Sequence, residues 1–273
     1  GAMLALEEER DPILLVLSSD HAIKNTQNFC DVIKSGIPYA KEGKLVTFGI
    51  APNSAETGYG YIKAARELHL DEIKGKEILE FVEKPDKKKA NEFLKDKRYY
   101  WNSGIFLFKA KKILNEILRS QPKIINCCSS SLKNRSFDLD FQRIDQNSFK
   151  HCPNISIDNA VMEKTKLGTV LAFDAEWSDL GSWKSIWENA KKDENKNALK
   201  GDIILKNSTG CYLRSENRLV VGLDIENLII IETSDAILVA NKNSSQSVKE
   251  IVSELEDNSF SEGKISKKMH RPW

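Results

Sequence analysis

Short, uninterrupted apolar runs alternate with longer helical patterns through the first part of the chain. Residues 13–17 (ILLVL) form one such run, residues 44–50 (KLVTFGI) contain another, and apolar residues recur at helical spacing between them. Such runs are typical of strands buried on both faces, and their alternation with helices is typical of a parallel sheet with crossover helices. The same patterns predict strands at 78–82 and 104–108, and helices at 86–95 and 111–120. We therefore predict an α/β fold with a Rossmann-like, mixed but mostly parallel sheet.

The pattern changes after residue 192, where short strands replace the alternation. Five short apolar segments, separated by turn residues, follow one another at 202–205, 211–213, 219–223, 228–232 and 236–240. This spacing predicts a small all-β unit, either a sandwich or a β-helix, and residues 247–256 have the apolar spacing of a closing helix. We therefore predict three regions, namely residues 1–192, residues 193–257 and a polar tail at residues 258–273.

Charge and composition narrow the class of protein. The 41 Lys and Arg residues nearly cancel the 40 Asp and Glu residues, so the net charge is +1 and no large basic field favours a nucleic-acid partner. No apolar run approaches the ~18 residues of a membrane span and no signal peptide is evident, so we expect no membrane partner and a cytoplasmic location. The five cysteines include no C-x-x-C pair, which argues against a disulfide framework or a zinc knuckle.

Two aspartates stand where open sheets bind ligands, which is at the carboxyl ends of their strands. Asp20 follows the first predicted strand, and Asp179 lies in the segment WSDLGSW at residues 177–183. Mg²⁺ typically uses one or two carboxylates together with phosphate oxygens, so these two side chains can jointly hold such an ion. By position alone, Asp20 is equally well explained as a helix N-cap or a turn residue.

Three other polar features follow or border predicted strands. In residues 56–61 (ETGYGY), two glycines flank a tyrosine, so the backbone can approach a ligand while the carboxylate accepts hydrogen bonds from sugar hydroxyls. Lys84, between Glu83 and Pro85, can neutralise a phosphate, and Asn102 offers an amide to hydroxyl groups. A ligand-free turn, a solvated surface lysine and a turn asparagine are the structural alternatives.

Six segments, taken in order, resemble the bacterial mannose-1-phosphate guanylyltransferases, also called GDP-mannose pyrophosphorylases. They are VLSSDHAI (16–23), FGIAPNSAETGYGYI (48–62), FVEKPD (81–86), WNSGIFLF (101–108), SIDNAVMEK (156–164) and WSDLGSWKSIWE (177–188). Residues 218–240 and 245–255 resemble the C-terminal region of the same family. The resemblance covers nearly the whole chain and implies a sheet of the sugar nucleotidyltransferase type followed by a small β-helix-like unit.

The resemblance implies that GTP and mannose 1-phosphate react to give GDP-mannose and diphosphate, in nucleotide-sugar biosynthesis for polysaccharides. The sugar phosphate attacks in line without a covalent enzyme intermediate, and positioning and charge neutralisation, assisted by Mg²⁺, supply the catalysis. The family motifs place catalytic residues at Asp20, Lys84 and Asp179, of which the two aspartates bind the metal. They place substrate-binding residues at Glu56, Gly58, Tyr59, Glu83, Asn102 and Asp158. The β-helix-like unit is a reasonable surface for a homo-oligomer.

The sequence departs from the family pattern at its beginning. Family members start with a glycine-rich loop, G-G-x-G-x-R-L-x-P-L-S, that grips the nucleotide phosphates, and residues 1–273 contain no such loop. The resemblance therefore implies a chain that is N-terminally incomplete, lacks the first βα units of the sheet and is inactive alone. The final residues, 270–273 (HRPW), resemble the start of the connection to the isomerase domain of bifunctional members.

Two other functions are compatible with the same residues. The sugar loop also suits a nucleotidyltransferase that acts on another hexose 1-phosphate. A non-catalytic regulatory subunit that binds a sugar nucleotide is the second alternative.

Overall fold

A computed structural model describes residues 1–257. The chain divides into two compact units, one formed by Gly1–Ser19 and Ile23–Trp177 and the other by Asp20–Ala22 and the described residues from Ser178 onward. The predicted bounds at residues 192 and 257 remain a prediction, and the predicted tail at 258–273 lies outside the described residues. No described helix is long and apolar enough to cross a membrane.

The first part of the chain contains ten strands, six helices and a π-helix among its described residues. The strands are β1 (Ile13–Val16), β2 (Ala22–Ile23), β3 (Leu45–Ile50), β4 (Tyr61–Ala64), β5 (Lys76–Val82), β6 (Tyr99–Lys109), β7 (Ser136–Asp138), β8 (Phe141–Arg143), β9 (Gly168–Ala172) and β10 (Trp177–Ser178). The helices are α1 (Ala2–Glu8), α2 (Thr26–Lys41), α3 (Lys87–Phe93), α4 (Ala110–Ser120), α5 (Pro122–Lys133) and α6 (Gln146–Phe149), and the π-helix spans Asp158–Met162.

Six of these strands form one sheet in the order β1-β6-β3-β9-β5-β4, and β6 also pairs with β4. The 11-residue strand β6 therefore contacts three neighbours along its length. Residues on the two faces alternate, as the two-residue period of a strand requires. Leu45 joins the core on the face covered by α4 and the π-helix, whereas Val46 and Phe48 join the core beneath α2.

The predicted α/β class is confirmed, but the prediction of a mostly parallel sheet was wrong. Within residues 1–257, β3 and β9 run parallel, while β6 is antiparallel to β1, β3 and β4, and β5 is antiparallel to β4 and β9. The physical reason is that a continuous apolar run reports burial on both faces and contains no information about strand direction. Burial of the first strand was also overestimated, because β1 ends the strand order and leaves Val16 42% exposed.

The pairing of β3 with β6 contains a bulge. Thr47 lies opposite Phe106 and Gly49 lies opposite Asn102, so β6 advances four residues where β3 advances two. Gly104, between them in β6, has a positive φ of 71°, which glycine adopts without steric cost. Bulges of this kind redirect side chains and are frequent beside functional sites.

The second unit is a coil of short, mostly parallel strands, and so belongs to the all-β class that its sequence pattern predicted. Its strands are β11 (Ala198–Lys200), β12 (Ile203–Lys206), β13 (Tyr212–Ser215), β14 (Val220–Leu223), β15 (Leu228–Glu232) and β16 (Ile237–Asn241). Strands β11, β13 and β15 run parallel, as do β12 and β14, which favours a β-helix-like coil over a sandwich. Helix α7 (Trp183–Asn189), a 3₁₀ helix (Lys242–Ser247) and helix α8 (Val248–Asp257) complete the unit.

Candidate functional site

Three side chains of the first unit form a hydrogen-bonded chain. The hydroxyl of Thr47 in β3 lies 2.9 Å from Oδ1 of Asn102 in β6, and Nδ2 of Asn102 donates to Oδ1 of Asp158 at 3.1 Å. Thr47 is fully buried, and Asp158 is the first residue of the π-helix. The amide of Asn102 is therefore held at both ends, and the strand rather than a loop carries it, because β6 begins earlier than the predicted residue 104.

Glu83 and Lys84 lie in the loop that follows β5. Nζ of Lys84 donates to Oε1 of Glu83 at 2.7 Å, and the backbone amide of Glu83 donates to Oε1 of Glu163 at 3.3 Å. Lys84 has a φ of 47°, a left-handed conformation that is costly for a residue with a Cβ. Strain of this kind persists where the surrounding structure determines the backbone, and it is concentrated at binding and catalytic sites.

The carboxyl group of Asp158 is electrostatically coupled to this pair. Burial raises the pKa of Asp158 to about 6, and the negative charge of Glu83 acts in the same direction, while Lys84 opposes them. The hydrogen bond to Glu83 raises the pKa of Lys84, and the charge of Asp158 also contributes. Lys84 thus remains cationic, and Asp158 can gain a proton under mildly acidic conditions.

The predicted sugar loop passes beside these groups. The backbone amide of Asn102 donates to the carbonyl of Gly60 at 2.8 Å. A Cβ at Gly60 would stand 2.6 Å from Oε2 of Glu83, whereas a Cβ at Gly58 would have no heavy atom within 4 Å. Gly60 therefore makes room for Glu83, and Gly58 borders open space that a ligand can enter.

Two other residues of this loop have partners within the protein. Oε1 of Glu56 accepts a hydrogen bond from the hydroxyl of Ser54 at 2.9 Å. The ring of Tyr59 packs edge-on against Trp101 and Trp177, at centroid distances of 5.1 and 5.7 Å. Edge-to-face packing of this kind holds the loop against the sheet.

The structure thus brings Glu83, Lys84, Asn102 and Asp158 together beside Gly60. Sequence reasoning missed Thr47 and Glu163, which hold Asn102 and Glu83. A signal for Thr47 was present, because a hydroxyl inside the apolar run KLVTFGI must find a hydrogen-bond partner when it is buried. No comparable signal marks Glu163.

The two predicted metal ligands belong to the second unit. Strand β2, just after Asp20, pairs with β10, just before Asp179. The amide of Asn25, beyond β2, donates to the carbonyl of Ala175, before β10, at 3.1 Å, which shows that the two segments run antiparallel. Asp20, before β2, and Asp179, after β10, therefore both lie at the same end of this short ladder.

Both side chains offer the oxygen atoms that a hard divalent cation prefers. Oδ1 of Asp179 accepts the amide of Gly181 at 3.0 Å, and Leu180 between them has a φ of 50°. Asp20 is exposed, so its carboxylate is accessible. No group of three or more His, Cys, Asp or Glu side chains able to hold a metal occurs within residues 1–257. Two carboxylates are enough for Mg²⁺ when phosphate oxygens complete its coordination, so the residues fit that ion.

A cavity of about 380 Å³ opens in the first unit at the carboxyl ends of β3 and β9. Its walls include Pro52, Leu68, Tyr100 and Asp174, and none of the predicted site residues lines it. The cavity is therefore separate from the group around Asn102.

Comparisons with protein families match both units of the chain. A family described as nucleotidyl transferase matches residues 2–196. A second family, described as a MannoseP isomerase/GMP-like beta-helix domain, matches residues 201–255.

The chain is similar to several curated proteins named mannose-1-phosphate guanylyltransferase. It is 44% identical over 275 residues to that of Klebsiella pneumoniae and 43% identical over 275 residues to one from Escherichia coli, covering all of this chain and 58% of each relative. It is 44% identical to RfbM of Salmonella typhimurium, of which it covers 57%. The chain thus spans less than two thirds of the length of these relatives.

Two solved structures are also similar. One, described as mannose-1-phosphate geranyltransferase from Thermus thermophilus, has a TM-score of 0.77 at 27% identity and covers 93% of this chain and 72% of the other. The other, described as mannose-6-phosphate isomerase from Helicobacter pylori, has a TM-score of 0.59 at 32% identity and covers 65% of this chain and 68% of the other.

Proposed function

Because this chain belongs to the nucleotidyl transferase family, as its motifs predicted, we propose that the protein transfers the guanylyl group of GTP to mannose 1-phosphate, releasing diphosphate. The observation that carries this proposal is the similarity of the entire chain to proteins named mannose-1-phosphate guanylyltransferase. The arrangement of Glu83, Lys84, Asn102 and Asp158 supports it, because these residues offer what a sugar phosphate requires. GTP and mannose 1-phosphate are therefore the proposed substrates, and the cytoplasm is the proposed compartment.

The residues of the first unit act by binding and orientation. The ammonium group of Lys84 neutralises a phosphate oxygen, while the carboxylate of Glu83 and the amide of Asn102 form hydrogen bonds with sugar hydroxyls. Glu56, Gly58 and Tyr59 form the loop that borders the sugar, and the open space at Gly58 admits it. Fixed polar groups of this kind lower the barrier of an in-line transfer, because they need no reorganisation during the reaction.

Asp20 and Asp179 are the proposed ligands of Mg²⁺. When bound, the ion neutralises the charge of the phosphates during transfer. The hydrogen bond from the amide of Gly181 to Oδ1 of Asp179 restricts the orientation of that carboxylate. Oxygen ligands of fixed orientation favour a small cation that demands regular geometry.

The proposal is tested with the protein at its full natural length. We expect GDP-mannose to form from GTP, mannose 1-phosphate and Mg²⁺, with kcat/KM for mannose 1-phosphate exceeding that for glucose or fucose 1-phosphate. We expect Asp20→Asn and Asp179→Asn to lower kcat by about 10²- to 10³-fold. Glu176→Gln, at an exposed carboxylate of the same segment, is the matched control and should retain wild-type kcat.

Two results would contradict this assignment. One is full activity of the Asp179→Asn variant with an unchanged dependence on Mg²⁺, which would remove this residue from metal binding. The other is a wild-type protein that forms no GDP-mannose but turns over a different hexose 1-phosphate. Isomerisation of mannose 6-phosphate is measured in the same preparation, because one structural relative carries that description.

A further inference from the structure

The buried hydroxyl of Thr47 has two acceptors within reach. Its oxygen lies 2.9 Å from Oδ1 of Asn102 and 3.0 Å from the backbone carbonyl of Ile105. A threonine hydroxyl carries one proton and can donate to one of them at a time. The bulge in β6 brings both acceptors to the same hydroxyl, since it adds residues between Asn102 and the partner of Thr47.

The two ends of the Asn102 amide have nearly the same shape, so the group fits its site in two orientations. In the first, Thr47 donates to Oδ1 of Asn102, and Nδ2 of Asn102 donates to the carboxylate of Asp158. In the second, Thr47 donates to Ile105, Nδ2 donates to the hydroxyl oxygen of Thr47, and Oδ1 accepts from Asp158. The second orientation requires one proton on Asp158, because an ionised carboxylate has no hydrogen to donate.

We propose that Thr47 is a positioning residue for Asn102, and that the Thr47–Asn102–Asp158 chain changes between these two orientations when Asp158 gains or loses one proton. The consequence for the sugar rests on the proposed function. The two orientations exchange the positions of the free N–H and the free lone pair of the Asn102 amide. A sugar hydroxyl that bonds to the amide in one orientation faces, in the other, a donor where it donates or an acceptor where it accepts.

The charges around Asp158 make this change accessible. Glu83 and Lys84 face it from the loop after β5, and Glu163, at the end of its own π-helix, is bonded to the backbone of Glu83. Burial and the charge of Glu83 raise the pKa of Asp158 to about 6, so the carboxyl changes its protonation between pH 5 and pH 8. Thr47 itself does not titrate, so any pH dependence of its role must reach it through Asn102.

The first test measures KM for mannose 1-phosphate at pH 5 and pH 8 in the full-length protein. The substrate phosphate also titrates near pH 6. The KM of each variant is therefore divided by the KM of the wild type at the same pH, so that the effect of the substrate cancels. We expect Thr47→Val to raise KM about 10-fold at pH 8 with kcat within about twofold, because it leaves Oδ1 of Asn102 without its donor. We expect Thr47→Ser, which restores the hydroxyl, to return KM to within about twofold of wild type.

The ratio of KM for Thr47→Val to KM for wild type should fall at pH 5, because the Asn102 amide of the wild type is then itself in the second orientation. A Thr47→Val variant with wild-type KM at both pH values would overturn the proposal and leave Thr47 with a packing role. A ratio above one that is the same at both pH values would overturn the proton-linked change of orientation.

The second test needs no catalysis and separates this proposal from the proposed function. Melting temperatures are measured at pH 8 without substrates for Thr47→Val, Asp158→Asn and the double variant. We expect the effect of Thr47→Val to differ by about 2 °C or more between the wild-type and Asp158→Asn backgrounds, because the two residues communicate through Asn102. In an Asn102→Ala background, the two substitutions should be additive.

If the effects of Thr47→Val and Asp158→Asn on the melting temperature are additive while Asn102 is present, the Thr47–Asn102–Asp158 hydrogen-bonded chain is refuted, even in an enzyme that makes GDP-mannose. If they are not additive in a protein that fails to turn over mannose 1-phosphate, the proposed substrate is refuted and the hydrogen-bonded chain is supported.

Discussion

Gly60 lies directly against Glu83, so that a Cβ at residue 60 would approach Oε2 of Glu83 to 2.6 Å. The contact is with the flexible end of a side chain, so a larger residue would displace the carboxylate rather than the backbone. The absence of a side chain at Gly60 therefore determines where a carboxylate of the proposed sugar site stands.

We expect Gly60→Ala to raise KM for the sugar phosphate about 10-fold while lowering the melting temperature by less than about 2 °C. The reason is that the new methyl group moves Glu83 without breaking the sheet. Steady-state kinetics and thermal unfolding of the full-length protein check both parts. In a Glu83→Ala background, Gly60→Ala should have little further effect on KM. Gly58→Ala, whose methyl group meets no protein atom within 4 Å, should leave the melting temperature unchanged.

Lys84 combines a needed charge with an unfavourable backbone conformation. Its φ of 47° suits glycine better than any residue with a Cβ. We expect Lys84→Gly to be more stable than Lys84→Ala by about 1 kcal/mol, although both lose most activity. At Lys88, in the first turn of helix α3, the order should reverse, because glycine is less favourable than alanine in a helix by up to about 1 kcal/mol. Chemical denaturation of the four variants gives both differences, and equal stability of the two Lys84 variants would argue against strain.

Asp158 should give the protein a stability that falls as the pH rises. Its folded-state pKa is raised to about 6, so its neutral form stabilises the fold below the unfolded pKa and this contribution is lost as the pH rises through about 6. Asp158→Asn cannot ionise. We therefore expect its melting temperature, relative to wild type, to increase between pH 4.5 and pH 7.5. A difference that stays constant over this interval would contradict the raised pKa.

Glu232 should show the opposite dependence. Its fully buried carboxylate accepts the backbone amides of residues 216–218 at 2.9, 2.8 and 3.2 Å and the guanidinium of Arg218 at 3.0 Å. The backbone hydrogen bonds, above all that from Asn217, lower the pKa of Glu232. Its stabilisation is thus present above the unfolded pKa and lost as the pH falls through the folded one.

We therefore expect Glu232→Gln to lower the melting temperature by several degrees at pH 7.5, since the new NH₂ group faces N–H donors, and by less in acid. Glu216→Gln, at a neighbouring and more exposed ion pair, is the control and should change the melting temperature by about 1 °C or less. If the decrease in melting temperature caused by Glu232→Gln became larger toward acid pH, that result would be inconsistent with the lowered pKa of Glu232.

Much of the local structure could be predicted from the sequence, because local patterns report burial. The strand predicted at residues 228–232 coincides with β15, and the helix predicted at 111–120 differs from α4 by one residue at its start. In the second unit, the regular spacing of turns and strands predicted the all-β class but left a sandwich and a β-helix open. The parallel pairing of non-consecutive strands, which local spacing does not contain, gives the β-helix-like coil.

Strand direction and the extent of β6 could not be predicted in this way. Trp101 and Asn102 were expected before a strand, but Trp101 pairs with Tyr61 of β4 and Asn102 pairs with Gly49 of β3, so β6 includes both residues. Pairing between distant segments depends on free energies that no local window contains. The same holds for the candidate site, where the meeting of Thr47 with Asn102 depends on a bulge and that of Asn102 with Asp158 on a π-helix. The roles assigned to all nine predicted site residues stay predictions until the substitutions are made.

The main chain at Asn102 has a partner on either side, since it pairs with Gly49 of β3 and its amide donates to the carbonyl of Gly60, just before β4. The main chain at this position has therefore already lost its conformational freedom before a sugar arrives. When Asn102 distinguishes between sugar epimers, binding then loses little conformational entropy of the protein. A site that is assembled by the closure of a disordered lid loses more. Temperature-dependent calorimetry would reveal this preorganisation as a small entropic penalty.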